Sequence, residues 1–304
     1  KKIFREGNFL RTLTFTVPSE FSEKPLLYFL KGKLGFSHGI VGTLRHTEGA
    51  VKVNGKNTRV VDRVFEGDIL EIALPEKTSP PELWETELDI VYEDDDLIII
   101  NKPAGLSCHP SHNHPNFTLA NAVAAHVLKS GGEASAARAV GRLDKGTSGL
   151  ILFAKHAYAA SLLNGKIEKI YIALASRRIE KSGVIDAPIY RPDPLKTLRA
   201  TGSEGDAALT KYEVLKQCGD CTLLKVKIET GRTHQIRVHL KSIGAPLVGD
   251  DMYGGPVTEN LSRPALHCAE MFFTHPTTGE KMHFSQELPD DIKAEINSRL
   301  LSRD

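Results

Sequence analysis

Leu150-Ile151-Leu152-Phe153 follows directly on Gly141-Arg142-Leu143-Asp144-Lys145-Gly146-Thr147-Ser148-Gly149. A turn-prone, charged segment thus runs straight into a continuous apolar stretch, the pattern of a buried strand. A carboxylate at the mouth of such a strand is rigidly placed and partly desolvated, which suits a nucleophile or a general base. An aspartate in a short loop also caps its own turn, and this segment alone leaves both readings open.

The rest of the chain tells what that strand packs in. Pro75, Pro80 and Pro81 bracket a polar stretch that continues neither a helix nor a central strand, so a linker is expected over 76–87. Before it, Leu26, Leu27, Phe29, Leu30 and Leu34 share the face of a short helix that Gly35 stops, and Ile40 to Arg45 repeats the pattern. Val51-Lys52-Val53 reads as a strand entering an Asn54-Gly55 turn, and Gly67 to Ile72 as another strand. After the linker, helical and strand patterns interleave without a regular βα repeat. The fold class expected is therefore α+β, not doubly wound. Asn116 to Lys129 carries Leu119, Ala122, Val123, His126 and Val127 on one helical stripe ended by Ser130-Gly131-Gly132. His126 on that stripe reads as a satisfied core histidine rather than a ligand.

Charge narrows the partners. The 304 residues hold 39 Lys+Arg and 38 Asp+Glu, a formal net charge of +1, which argues against a protein that coats nucleic acid. The distribution is uneven: residues 1–63 carry 12 basic and 5 acidic side chains, whereas 82–96 carry 8 acidic and no basic ones. Lys225, Lys227, Arg232, Arg237 and Lys241 form a second basic stretch around His234 and His239. Each patch is either a local polyanion contact or a solvated face. Four scattered cysteines suggest a reducing compartment, hence a cytoplasmic protein. No apolar run approaches the roughly 18 residues that cross a bilayer.

Several chemistries fail on spacing. Gly146-Thr147-Ser148-Gly149 is not a nucleophile elbow, Gly49 to Asn57 is not a phosphate loop, and Cys218-Gly219-Asp220-Cys221 has no partner pair to complete a zinc site. In Cys108-His109-Pro110-Ser111-His112-Asn113-His114, Pro110 and Pro115 dictate an extended loop. With no HExxH helix or carboxylate-rich partner nearby, its polar groups are read as facing substrate or solvent rather than a metal.

Four further segments decide the matter: Asn101-Lys102-Pro103-Ala104-Gly105-Leu106, Lys169-Ile170-Tyr171-Ile172-Ala173, Glu229 to Leu240 (ETGRTHQIRVHL), and Gly249-Asp250-Asp251-Met252-Tyr253-Gly254. Together with the Asp144 segment, and in this order, they closely resemble the RluA-type pseudouridine synthases over about residues 88–290. Phe36-Ser37-His38-Gly39-Ile40 and Val51 to Lys56 resemble the S4 RNA-binding domain. The likeness implies an S4-like α/β domain with an N-terminal extension at 1–75, and a catalytic domain at 88–304. The latter would have a mixed, mainly antiparallel sheet, flanking helices and a central cleft. It implies an enzyme that isomerises uridine to pseudouridine in structured RNA, bacterial 23S ribosomal RNA foremost, with transfer RNA or a catalytically inactive assembly factor as alternatives.

Asp144 matches the family's essential aspartate, Tyr171 its active-site tyrosine, and Arg237 the arginine that pairs with the aspartate and keeps it charged. Arg142 matches a residue that fills the gap left by a flipped nucleotide. Lys169, Arg232 and His234 are expected to contact RNA in the cleft, as are Arg45, Ser37 and His38 on the S4-like unit. If residues 232–243 are helical, His234, Arg237 and Lys241 lie on one side and Ile236, Leu240 and Ile243 face inward. No cofactor or metal is implied; the expected partner is RNA, with no membrane and no second subunit. Gly141 stands where His usually precedes Arg-Leu-Asp, and is expected to loosen the loop; Ala245 also stands where His is frequent.

Overall fold

The alternating runs close into separate sheets with separate cores. The computed structural model describes residues 9–75, 82–110, 116–131 and 138–301. Its first sheet is antiparallel, built from β1 (Phe9–Thr16), β2 (Val51–Val53), β3 (Lys56–Asn57) and β4 (Ile69–Pro75) in the order β1-β4-β2-β3. Asn54 and Gly55 both take positive φ, 49° and 76°, as a two-residue hairpin requires. Helices α1 (Leu26–Gly32) and α2 (His38–His46) cover the sheet, with Leu26, Leu30, Leu70 and Ile72 fully buried between. Ser37 starts α2 by accepting the Ile40 N–H at 3.3 Å, a common N-cap bond.

Of the expected linker, 76–81 lies outside the described residues, and 82–87 has no regular secondary structure. Beyond it, β5 (Ile90–Glu93), β6 (Leu97–Lys102), β7 (Arg138–Val140), β8 (Ser148–Ala154) and β9 (Glu168–Ala175) begin a ten-stranded sheet. Strands β10 (Gly183–Asp186), β13 (Leu209–Cys218), β14 (Cys221–Ile228), β15 (Leu266–Thr274) and β16 (Lys281–Ser285) complete it. The order is β10-β13-β14-β9-β15-β8-β6-β5, with β16 beside β15 and β7 beside β8. Every pairing described is antiparallel except β15 with β8, where His267 lies opposite Ser148. The mixed, mainly antiparallel sheet agrees with the α+β expectation. A small hairpin, β11 (Ile189–Tyr190) and β12 (Ala200–Thr201), stands apart.

Leu97 to Ile100 and Leu150 to Phe153 are fully buried, so both apolar runs are central strands. Around them pack α3 (Leu119–Lys129), α4 (Ala157–Leu163), α5 (Gln235–Ser242) and α6 (Asp290–Leu301). α3 starts at a Thr118–Asn121 capping box and ends at Ser130, before Gly131 with φ 83°. His126 on its stripe hydrogen-bonds Glu93 at 2.8 Å, a satisfied histidine. Cys218 and Cys221 face each other across the β13–β14 hairpin, buried beside Ile292 and Ile296. No described helix is long and apolar enough to cross a membrane.

α5 departs from its expected span. It begins at Gln235 rather than 232 because His234 sits in the left-handed region (φ 59°), and the Gln235 side chain accepts hydrogen bonds from Thr230 Oγ1 and the Arg232 N–H instead. Ile243 caps the far end and is exposed, not part of an inward stripe.

The two cores touch through α4. Tyr158 is buried in the N-terminal core, its ring stacked on Phe36 at 4.3 Å, and its hydroxyl donates to the Leu34 carbonyl at 2.9 Å. This contact sets where the small sheet stands relative to the large one.

Candidate active site

Asp144 occupies the loop between β7 and β8, and the loop is clamped on several sides. The fully buried Lys102, at the end of β6, donates from Nζ to the carbonyls of Pro103, Leu106 and Lys145 at 2.8, 2.9 and 3.3 Å. Arg263 donates to the Gly146 carbonyl at 3.3 Å and is itself held by Asp291 of α6 at 2.6 and 2.7 Å. Cys108 Sγ hydrogen-bonds the Leu143 carbonyl at 3.1 Å. Gly141 has φ 78°, so glycine meets a left-handed requirement here rather than merely loosening the loop.

Arg237 of α5 is nearly sealed from solvent. Its guanidinium makes a bidentate pair with Asp250 (Nε to Oδ2 and Nη2 to Oδ1, both 2.7 Å), while Nη1 stands 3.8 Å from Asp144 Oδ2. The expected pairing of arginine with the candidate aspartate is therefore present as an ion pair beyond hydrogen-bond length. The close partner is Asp250, which is fully buried. Burial works to lower the Arg237 pKa, but the hydrogen bonds and charge of Asp250, with Asp144 beyond, raise it overall. The guanidinium is a fixed charge aimed past Asp250 at Asp144.

Tyr171 of β9 closes the floor. Burial, reinforced by Cys268 and Asp144, pushes its phenol well above the ordinary value, and its hydroxyl shares a hydrogen bond with Cys268. Asp144, Tyr171, Arg142, His234 and Arg237 line one cleft of about 440 Å³. Asp144, Arg142, His234 and Arg237 also line a second, of about 1450 Å³, walled by Cys108, His109, Thr197, Met252 and Arg263. The carboxylate thus stands at the junction of a tight pocket and a broad groove. Among the described residues no cluster of His, Cys, Asp or Glu is arranged to hold a metal; His112 and His114 lie outside them.

Residues 96–242 match the family model described as RNA pseudouridylate synthase. The chain is 37% identical over 269 residues to "Uncharacterized RNA pseudouridine synthase YjbO" of Bacillus subtilis (strain 168), covering 86% of this chain and 94% of the relative. The chain belongs to the RNA pseudouridine synthase family. It is also 38% identical over 268 residues to ribosomal large subunit pseudouridine synthase D of Haemophilus influenzae, 82% of each chain being covered. The solved structure of human RNA Pseudouridylate Synthase Domain Containing 1 superposes with a TM-score of 0.55 at 26% identity, over 70% of this chain and 87% of that one.

In this synthase the remaining residues singled out from sequence divide by place. Arg142 is exposed at the cleft mouth. Arg232 is exposed and steadied by the Ala207 carbonyl at 3.1 Å and by Asp206 at 3.5 Å. His234 hydrogen-bonds the Tyr253 hydroxyl at 2.8 Å, and burial lowers its pKa, which keeps the ring neutral near pH 7. Lys169 is buried in β9 and lines a side pocket with Gly141, Arg142 and Tyr171. Ser37, His38 and Arg45 are exposed on or beside α2 and do not join the cleft. The basic stretch 225–241 is split: Lys225 and Lys227 pair with Glu270 and Glu168 on the sheet at 3.5 and 2.7 Å, and only Arg232, His234 and Arg237 reach the cleft.

Sequence reasoning passed over Asp250, Tyr253 and Lys102, though each lies inside a segment it quoted. Tyr253 accepts the Arg199 N–H at 3.0 Å, and its ring lies 4.9 Å from the Arg237 guanidinium carbon. Their only signal was membership of those segments, because their partners are distant in sequence.

Proposed function

We propose that this synthase converts specific uridines of structured RNA, 23S ribosomal RNA foremost, into pseudouridine, with Asp144 as the acting carboxylate and no cofactor. The observation that carries the reading is the position of Asp144 between pocket and groove, flanked by Arg237 and Tyr171. The groove accepts the strand and the pocket accepts one flipped base, whose unstacking costs a few kcal/mol. Asp144 adds to the bound nucleotide, and that bond breaks again before the product leaves, which restores the carboxylate. The bond from the sugar carbon C1′ to N1 breaks, the uracil turns, a C1′–C5 bond forms, C5 gives up its proton and N1 takes one. The product is an isomer, so no other reactant is consumed. Because Tyr171 is held protonated, its ring supports the base, and the Asp144 carboxylate is the basic group in reach of the C5 proton.

In this reading residues 1–75 are an S4-like RNA-binding unit, meeting phosphates with Arg45 and with Ser37 and His38 near the start of α2. Residues 88–304 are the catalytic domain, Arg232 and His234 contact RNA at the cleft, Lys169 contacts it from the side pocket, and the protein acts as a cytoplasmic monomer. The name of the Haemophilus relative supports the choice of ribosomal RNA. Asp144→Ala is expected to abolish pseudouridine formation on a 23S transcript while RNA binding persists. A wild-type protein that binds the transcript and forms none is an assembly factor instead, and pseudouridine mapping in total RNA with and without the gene distinguishes ribosomal from transfer RNA.

A further inference from the structure

The chain carries three methionines, and their surroundings differ. Met271 is fully buried in β15 and Met282 is half-buried in β16, whereas Met252 is 44% exposed. Met252 lies in the short turn Asp251–Tyr253 and lines the broad groove with Asp144 and Arg237. Its sulfur stands 3.7 Å from Arg237 Nη2, the same nitrogen that donates to Asp250 Oδ1 at 2.7 Å. An accessible thioether thus rests against the guanidinium that faces Asp144 across 3.8 Å.

The other sulfurs are shielded from an oxidant in water. All four cysteines are buried. Burial pushes the thiols of Cys221 and Cys268 up to about 12 and 11 and also raises that of Cys108 at the groove wall, which holds these three away from the reactive thiolate. A thioether has no proton to lose, so access decides its rate of oxidation. Oxidation would change the acceptor that Arg237 meets. A thioether sulfur is a weak acceptor, whereas a sulfoxide oxygen is a strong one, here borne on a sulfur already 3.7 Å from the guanidinium. That oxygen comes within hydrogen-bond reach of Arg237 and competes with Asp144 for its charge.

We propose that Met252 is an oxidation site through which hydrogen peroxide reversibly slows this synthase. The sulfur lone pair attacks one peroxide oxygen, the O–O bond breaks as the S–O bond forms, and with one proton shift water leaves. Sulfur loses two electrons and the peroxide gains them. The sulfoxide oxygen then accepts from Arg237 and draws the guanidinium away from Asp144. A methionine sulfoxide reductase returns the thioether, two thiols supplying the electrons and becoming a disulfide as water leaves. The inference rests on the RNA-modifying reading above and adds a control to it.

The test treats wild type and Met252→Leu with hydrogen peroxide and follows oxygen uptake by peptide mass spectrometry, pseudouridine formation on a 23S transcript, and Tm. Met252 should take up one oxygen before Met282 and Met271, and bound transcript should slow that uptake. Wild-type kcat should fall about tenfold in step, the scale of one disturbed charge-assisted hydrogen bond, with Tm unchanged, and the reductase should restore it. Met252→Leu, measured against its own untreated rate, should lose none. Uptake no faster at Met252 than at Met282, an oxidised Met252 with undiminished kcat, a Tm fall that accounts for the loss, or a leucine variant that loses activity as fast as wild type overturns the site. Untreated wild type that binds the transcript without forming pseudouridine overturns the proposed function instead, and the order of oxygen uptake with its slowing by bound transcript then decides the site.

Discussion

Lys102 shows what a single side chain does for the cleft without entering the chemistry. Burial pushes its pKa down to about 8, while its ammonium serves three carbonyls, one of them that of Lys145, next to Asp144. Between pH 8 and the ordinary lysine value the unfolded chain holds a proton that the folded chain has released, so this group makes stability rise with pH there. The neutral amine, however, has two hydrogens for three acceptors. Activity should therefore decline with an apparent pKa near 8 while Lys102 contributes a rise rather than a fall in the thermal midpoint, as a pH series of kcat and Tm will check. Lys102→Met should lose most activity and lower Tm, because unpaired buried carbonyls cost about 1–3 kcal/mol each. At this scale the meeting of Asp144, Tyr171 and Arg237 in one cleft was legible because each sits in an ordered motif. Asp250 was not recognisable as Arg237's close partner, since the twelve intervening positions of helix and loop say nothing about which carboxylate a guanidinium will meet.

Among the elements, the junction of β8 and β15 is the one parallel pairing described, and His267 bridges it by hydrogen-bonding Ser148 at 2.9 Å. Burial lowers the His267 pKa to about 4, so the folded protein keeps the ring neutral where the unfolded chain protonates. As pH falls from about 6.5 to 4 the unfolded state gains the extra proton, and stability drops by about 3 kcal/mol before levelling off. Denaturation of wild type and His267→Gln across that range should show the glutamine variant lacking this portion of the loss. Most elements were readable from local patterns: the helix at 116–129, the Asn54-Gly55 turn, the buried run at 150–153. The start of α5 was not, because its helical period continues back to Arg232, whereas the left-handed His234 and the bonds that Gln235 Nε2 donates to Leu209 and Thr210 delay it.

For the molecule as a whole, the question is how an N-terminal unit stays in register with a cleft that none of its described residues lines. Tyr158 answers it by crossing from α4 into the N-terminal core. Tyr158→Ala should destabilise the chain by about 3 kcal/mol and weaken binding to a 23S transcript more than it lowers kcat, which limited proteolysis and steady-state kinetics will read. A conservative Tyr158→Phe keeps the stack on Phe36 and should retain most affinity. The prolines at 75, 80 and 81 suggested a linker, but nothing local could show that a tyrosine far beyond them packs into the N-terminal core.

The amino-acid sequence by itself determined which segments become buried strands, where turns fall, and which ordered motifs carry the carboxylate, the phenol and the guanidinium. The strands and turns depend on side-chain periodicity and turn chemistry within about ten residues of chain, whereas the motifs were read from their likeness to a known family. Only the tertiary structure decided that Arg237 grips Asp250 before Asp144, and that Lys225 and Lys227 of the basic stretch are neutralised on the sheet. Those outcomes are set by distances between groups remote in sequence, which exist only once the sheets have closed.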